Sequence, residues 1–189
     1  MTVHPIEAES YRILGDRVDL SHLEPGPRAV VERVIHASAD LEYASTMRFD
    51  PGAVEAALGA LRAGAHVVTD VEMVRAGIPG ALCYLPADAV GSEATTRSAA
   101  GIRIAAQRHP KGAVVVIGCA PTALLEAVEL PWEPAVIVGL PVGFVGAVES
   151  KAQARASRHR TITNVGEKGG SAAAVAAVNA LRRLANDAD

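Results

Sequence analysis

The period of hydrophobic positions changes near residue 65. Before that point Val30, Val31, Val34 and Ile35 recur at three- and four-residue spacing behind Pro25-Gly26-Pro27, which predicts one apolar stripe on a helix. Asp50-Pro51 opens a second helical segment, with Val54, Ala57, Leu58 and Leu61 in register and Gly64 to close it. Beyond Ala65, helical segments alternate with short runs: His66-Val67-Val68-Thr69, Leu82-Cys83-Tyr84-Leu85, Val114-Val115-Val116-Ile117, Val136-Ile137-Val138 and Thr161-Ile162-Thr163. Continuous apolar strands parted by helices predict a parallel sheet buried on both faces. The expected fold is α/β: a doubly wound, mainly parallel sheet with helices on both faces and an N-terminal helical segment. No linker or repeat divides the 189 residues, so 1–189 reads as a single domain.

Composition narrows the classes of function. Half of the chain is apolar but only 3% is aromatic, so alanine, valine and leucine must build a core of closely packed layers. A formal charge of -3 with no Lys/Arg block gives no reason to expect nucleic acid. Cys83 and Cys119 lie in apolar runs without a CxxC or Cys/His ligand pattern, and read as two buried, reduced thiols of a cytoplasmic protein. Glu7, Glu9, Arg12 and Asp16 occupy the place where a signal peptide needs its apolar segment. The longest apolar stretches, 113–125 and 135–148, are interrupted by Gly and Pro and fall short of the roughly 20 residues that span a membrane. No membrane partner is expected.

In sheets of this kind ligands bind beyond the carboxyl ends of the strands. Three loops there have unusual composition: Gly118-Cys119-Ala120-Pro121-Thr122, Gly139 through Gly146, and Gly166-Glu167-Lys168-Gly169-Gly170-Ser171. Glycine lets a ligand approach the backbone, and helix N-termini offer N–H groups to anions. Each loop taken alone is equally a tight turn. The Gly139–Gly146 spacing is GxxxGxxG, which is neither the GxGxxG of dinucleotide folds nor a phosphate loop. A Rossmann-like enzyme acting on a nucleotide or phosphorylated metabolite therefore stays open without a motif to support it.

Two side chains carry the candidate chemistry. Arg97, in Thr96-Arg97-Ser98 at the start of a helix, opposes the positive helix end, which gives a ligand carboxylate or a pairing with Glu93 as its reason to be there. His36 lies just past the Val30/Val34 and Val31/Ile35 stripe and, at about 100° per residue, points away from it. A helix C-terminus favours the protonated imidazolium that a proton donor requires, although an ordinary surface histidine would occupy the same position. His4, His22, His66, His109 and His159 show no metal-like pairing, and no Ser/His/Asp assembly is visible.

Arg33-Val34-Ile35-His36, Asp70-Val71-Glu72-Met73-Val74, Thr96-Arg97-Ser98, Ala120-Pro121-Thr122-Ala123-Leu124, Gly139 through Lys151 and Gly169-Gly170-Ser171 together resemble the precorrin isomerase, or precorrin-8X methylmutase, family. The likeness runs from about Ser10 to Leu181. It implies an isomerase of cobalamin biosynthesis that moves a methyl group from ring carbon 11 to carbon 12 of a tetrapyrrole. It also implies a homodimer, no added cofactor, no catalytic metal and a parallel α/β fold.

On that resemblance His36 is the catalytic acid, and Ser10 and Arg97 contact the substrate. Thr96, Gly143, Phe144, Val145, Gly169, Gly170 and Ser171 complete the expected binding set, with apolar residues under the ring face and backbone N–H groups at its carboxylate rim. Three positions depart from the family pattern: Cys119 replaces a usual asparagine, Ala39 a common glycine, and Glu167 an often basic residue that must turn away or pair with Lys168. A non-catalytic tetrapyrrole carrier would need the same loops.

Overall fold

The computed structural model describes residues 4–87 and 96–187. Its helices are α1 (Pro5–Arg17), α2 (Pro25–Ser38), α3 (Tyr43–Thr46), α4 (Ala53–Arg62), α5 (Glu72–Ala76), α6 (Arg97–Arg108), α7 (Pro121–Glu129), α8 (Ala147–Ala156) and α9 (Ser171–Asn186). Its strands are β1 (Met47–Phe49), β2 (Val67–Thr69), β3 (Leu82–Cys83), β4 (Val114–Ile117), β5 (Val136–Gly139) and β6 (Thr161–Asn164). They form one sheet in the order β1-β6-β5-β4-β2-β3. Every pairing is parallel except that of β1 with β6.

Alternation along the strands divides the apolar side chains between two cores. Val114, Val116, Val136, Val138 and Ile162 face α2, α4 and α9, whereas Val115, Ile117 and Ile137 face α6, α7 and α8. The alanines of α9 permit α2 to pack closely against it, which is how a chain poor in aromatics fills its interior. The predicted doubly wound sheet and the helices of residues 25–38 and 53–62 are thus present.

Two elements depart from the hydrophobic pattern. Met47–Phe49 adds a short antiparallel edge strand, too brief to show an alternation. Residues 5–17 form α1, where His4 accepts a hydrogen bond from the Ile6 N–H at 3.3 Å and only Leu14 is buried. The thiols correct another expectation. Both are free, but Cys83 is half-buried and Cys119 is exposed, because its strand ends two residues earlier, at Ile117. Among the described residues no helix is long and apolar enough to cross a membrane.

Candidate functional site

The strand order reverses at β2, whose neighbours are β3 and β4. In doubly wound folds this crevice, at the N-terminus of the following helix, commonly receives an anionic ligand. Here the protein fills it. The buried Asp70 carboxylate, just past β2, accepts hydrogen bonds from the N–H groups of Gly118, Cys119 and Ala120 at 3.1, 2.9 and 2.9 Å. Burial raises the Asp70 carboxyl above its ordinary value, and the three N–H groups act in the opposite direction. The loop leading into α7 is therefore held by an internal anion.

The two loops that follow β5 and β6 interlock. Gly170 N–H donates to Leu140 O at 2.8 Å, and Gly143 N–H donates to Glu167 O at 3.1 Å. A Cβ at Gly169 would come within 2.6 Å of Pro141 O and still closer to Leu140 O, so glycine there is required by the approach of two backbones. Beneath them lies Lys151, wholly buried on α8. Its Nζ donates to Asn164 Oδ1 at 3.1 Å and to Lys168 O at 2.8 Å. Asn164 Nδ2 donates to the same Lys168 carbonyl at 2.7 Å. Desolvation, with help from the nearby Arg155 charge and against that of Glu167, brings Lys151 down to about 8.

His36 occupies the last turn of α2, half-buried beneath α1. Its Nδ1 lies 2.8 Å from Ser10 Oγ, and its ring stacks on Tyr11 with centroids 5.1 Å apart and planes 12° from parallel. Arg33 holds this part of α1 by donating to Glu7 Oε1 at 2.7 Å and to Tyr11 OH at 3.3 Å. A cavity of about 120 Å³ opens beside the imidazole between Ser10, Ile13, Arg17 and Leu41. Immediately after the helix, Ala39 adopts φ 55°, the only positive φ of a non-glycine residue among the described residues. This is one of the positions at which the sequence departs from the pattern it resembles, where glycine is common.

A continuous set of contacts joins His36 to the other candidate residues. Lys168 Nζ pairs with Asp40 at 2.7 Å and with Glu42 at 2.9 Å, and so ties the turn after α2 to the loop before α9. The interlocked glycine loops come next, and a Cβ at Gly146 would stand 3.4 Å from Pro121 of α7. Thr122 Oγ1 lies 2.7 Å from Thr96 Oγ1, the oxygen that also caps α6 through the Ala99 N–H. Arg97 is exposed and donates from Nε to Pro86 O at 3.1 Å. Thus Ser10 and His36 meet at one end of the rim, Thr96 and Arg97 stand at the other, and the glycine loops separate them. From β6 to β3 the rim spans about 19 Å, at ~4.8 Å per strand spacing. Phe144 and Val145 between the two ends are 92% and 88% exposed.

Several sequence expectations change at this level of detail. The Gly170 N–H is spent on Leu140 and is not available to a ligand. Of the two alternatives for Glu167, turning away holds: its side chain is exposed, and Lys168 pairs with Asp40 and Glu42 instead. Glu93 lies outside the described residues. At the opposite edge of the sheet the fold brings His66 and His109 together at 4.4 Å between centroids, although no group of three metal-binding side chains occurs among the described residues. Asp70, Lys151, Asn164 and Tyr11 were given no individual role by the sequence. For Lys151 a signal existed, since it shares a helical face with Ala147 and Ala154.

With that geometry in view, residues 5–184 match the family model for precorrin-8X methylmutase. The cobalt-precorrin-8 methylmutase of Methanothermobacter thermautotrophicus is 44% identical over 178 residues, covering 89% of this chain and 86% of that protein. The precorrin-8X methylmutase of Pseudomonas aeruginosa is 39% identical, with 93% of each chain covered. Among solved structures, the precorrin-8X methylmutase of Thermus thermophilus is similar with a TM-score of 0.89 and 39% identity, over 97% of this chain and 96% of that one. A match extending along nearly the whole sequence, through every loop of the rim, establishes that the chain belongs to the precorrin-8X methylmutase family.

Proposed function

We propose that this isomerase moves a methyl group from ring carbon 11 to carbon 12 of precorrin-8X, or of its cobalt complex, giving hydrogenobyrinate or cobyrinate, with His36 as the acid. The Ser10–His36 pair carries the reading. In the protonated ring Nδ1–H donates to Ser10 Oγ, which leaves Nε2–H for the macrocycle; among the described residues no protein group bonds Nε2. A proton placed on the conjugated ring redistributes its electrons. The methyl bond to carbon 11 then breaks as the bond to carbon 12 forms, and the proton returns to the imidazole. No electrons leave the substrate. General acid assistance of this type contributes ~10²- to 10⁴-fold.

The rim suits a broad disc fringed with carboxylates. Phe144 and Val145 supply apolar surface to one face, with Gly143 allowing close approach. Arg97, Thr96 and the backbone around Gly169 and Ser171 meet the carboxylates, and Gly170 contributes shape without its N–H. The cavity at His36 is about 120 Å³. Enclosing even a drug-sized ligand takes ~300 Å³ or more, and the homodimer that the family resemblance implies offers a second copy of the chain to complete the walls. Light scattering on the purified protein checks that mass. Free thiols at Cys83 and Cys119 fit work in the cytoplasm.

The deciding experiment mixes purified protein with precorrin-8X, in metal-free and cobalt forms, and follows the visible spectrum. His36→Ala is expected to fold and bind the pigment while turning over ~10²- to 10⁴-fold more slowly. Undiminished turnover in that variant removes His36 from the mechanism. Unchanged pigment retained in stoichiometric amount favours a carrier. The nucleotide-enzyme alternative loses its usual anion position to Asp70; thermal stabilisation by NAD(P) would restore it.

A further inference from the structure

Lys151 is the largest side chain entirely withdrawn from solvent among the described residues. Burying an ammonium costs free energy, and a methionine of similar length would fill the space between α8 and β6 without that cost. What the charge does is visible in its partners. Lys151 Nζ and Asn164 Nδ2 both donate to the Lys168 carbonyl, at 2.8 and 2.7 Å, and Lys151 also holds the Asn164 amide in orientation through Oδ1. In a planar trans peptide the C=O and the following N–H point in opposite directions. Drawing the Lys168 oxygen inward therefore turns the Gly169 N–H outward, and among the described residues that N–H has no protein acceptor.

We propose that Lys151 is a positioning residue: with Asn164 it sets the peptide between Lys168 and Gly169 so that the Gly169 N–H receives a carboxylate of the tetrapyrrole. This deepens the methylmutase reading and rests on it. The same clamp supports the neighbouring loop, because Gly170 N–H and Glu167 O bind Leu140 and Gly143. Lys151 touches no substrate itself. It holds ready the surface that does.

The test compares Lys151→Met with the full-length wild type in three measurements. Thermal unfolding of the variant is expected near the wild-type temperature, because removal of a buried charge offsets the loss of a donor to Asn164 Oδ1. Its Kd for hydrogenobyrinate, read by visible absorbance, and its KM are expected to rise about tenfold, the worth of one hydrogen bond to a charged group, with kcat changed less than about threefold. The Gly169 amide resonance, followed by NMR without ligand, is expected to shift and broaden as the peptide between Lys168 and Gly169 loses its fixed orientation. An unaltered Gly169 amide, or a loss of stability with unaltered Kd, overturns the proposal and makes Lys151 a packing residue. If the methionine variant fails to fold, Lys151→Gln, which retains a donor, undergoes the same measurements. Failure of the wild type to bind hydrogenobyrinate would refute the methylmutase reading separately, and the ligand-free amide measurement would still decide whether Lys151 orients the loop.

Discussion

The turn after His36 and the turn before α9 both ask for glycine, yet the first carries Ala39 and the second Gly169-Gly170. Ala39 bears a left-handed backbone at φ 55° and ψ 22°, a local strain of ~1–2 kcal/mol that a surface turn can sustain. At Gly169 the obstacle is a collision with the Leu140 and Pro141 carbonyls of a separate loop, and no rotation of one residue relieves it. The two ends of the site are also fastened differently. His36 is held by a serine, a stacked tyrosine and ion pairs near solvent, whereas the glycine loops are locked from below by wholly buried Lys151 and Asn164. On the proposed mechanism His36, as the acid, must exchange protons with its surroundings, whereas loops that receive a rigid disc gain from being fixed in advance.

The sharpest way to break this comparison is Gly169→Ala. Separating the two loops is expected to cost about 4 kcal/mol in denaturant unfolding and to abolish corrinoid binding. A loss below about 1 kcal/mol would mean that the loops are not locked.

Next in size is the pH dependence of Lys151, held near 8 against its ordinary 10.5. Between those values the unfolded chain carries the proton and the folded chain does not, so stability rises with pH across this window by up to about 3 kcal/mol. Wild type and Lys151→Met, unfolded in parallel from pH 7 to pH 10.5, should differ by that slope. Parallel curves would refute the burial of a charged amine.

The smallest expected change is at the other end. Ala39→Gly removes the left-handed strain and should raise stability by about 1 kcal/mol. A destabilised variant would show that the Ala39 methyl packs usefully beside His36.

The sheet was readable in the sequence because β4 and β5, at its centre, are buried on both faces and are apolar throughout, as in Val114–Ile117. The short edge strand at Met47–Phe49 was not, since three residues carry no period. His36 was marked by its place beyond a helical stripe, but its covering by α1 depends on an amphiphilic segment with a single buried residue, Leu14. Lys151 and Asp70 were harder to foresee. Charged residues are expected at the surface, and only tertiary structure shows that a carbonyl, an amide or three backbone N–H groups await them. The glycines pointed to loops that the fold brings together, without revealing which of their N–H groups are already engaged.

The brevity of the outermost strands has a consequence for assembly. β1 spans three residues at one margin and β3 two at the other, so neither offers a row of unpaired backbone long enough to template another strand. The molecule is thereby guarded against edge-to-edge aggregation, and any partner it acquires must dock on helices or loops instead of extending the sheet.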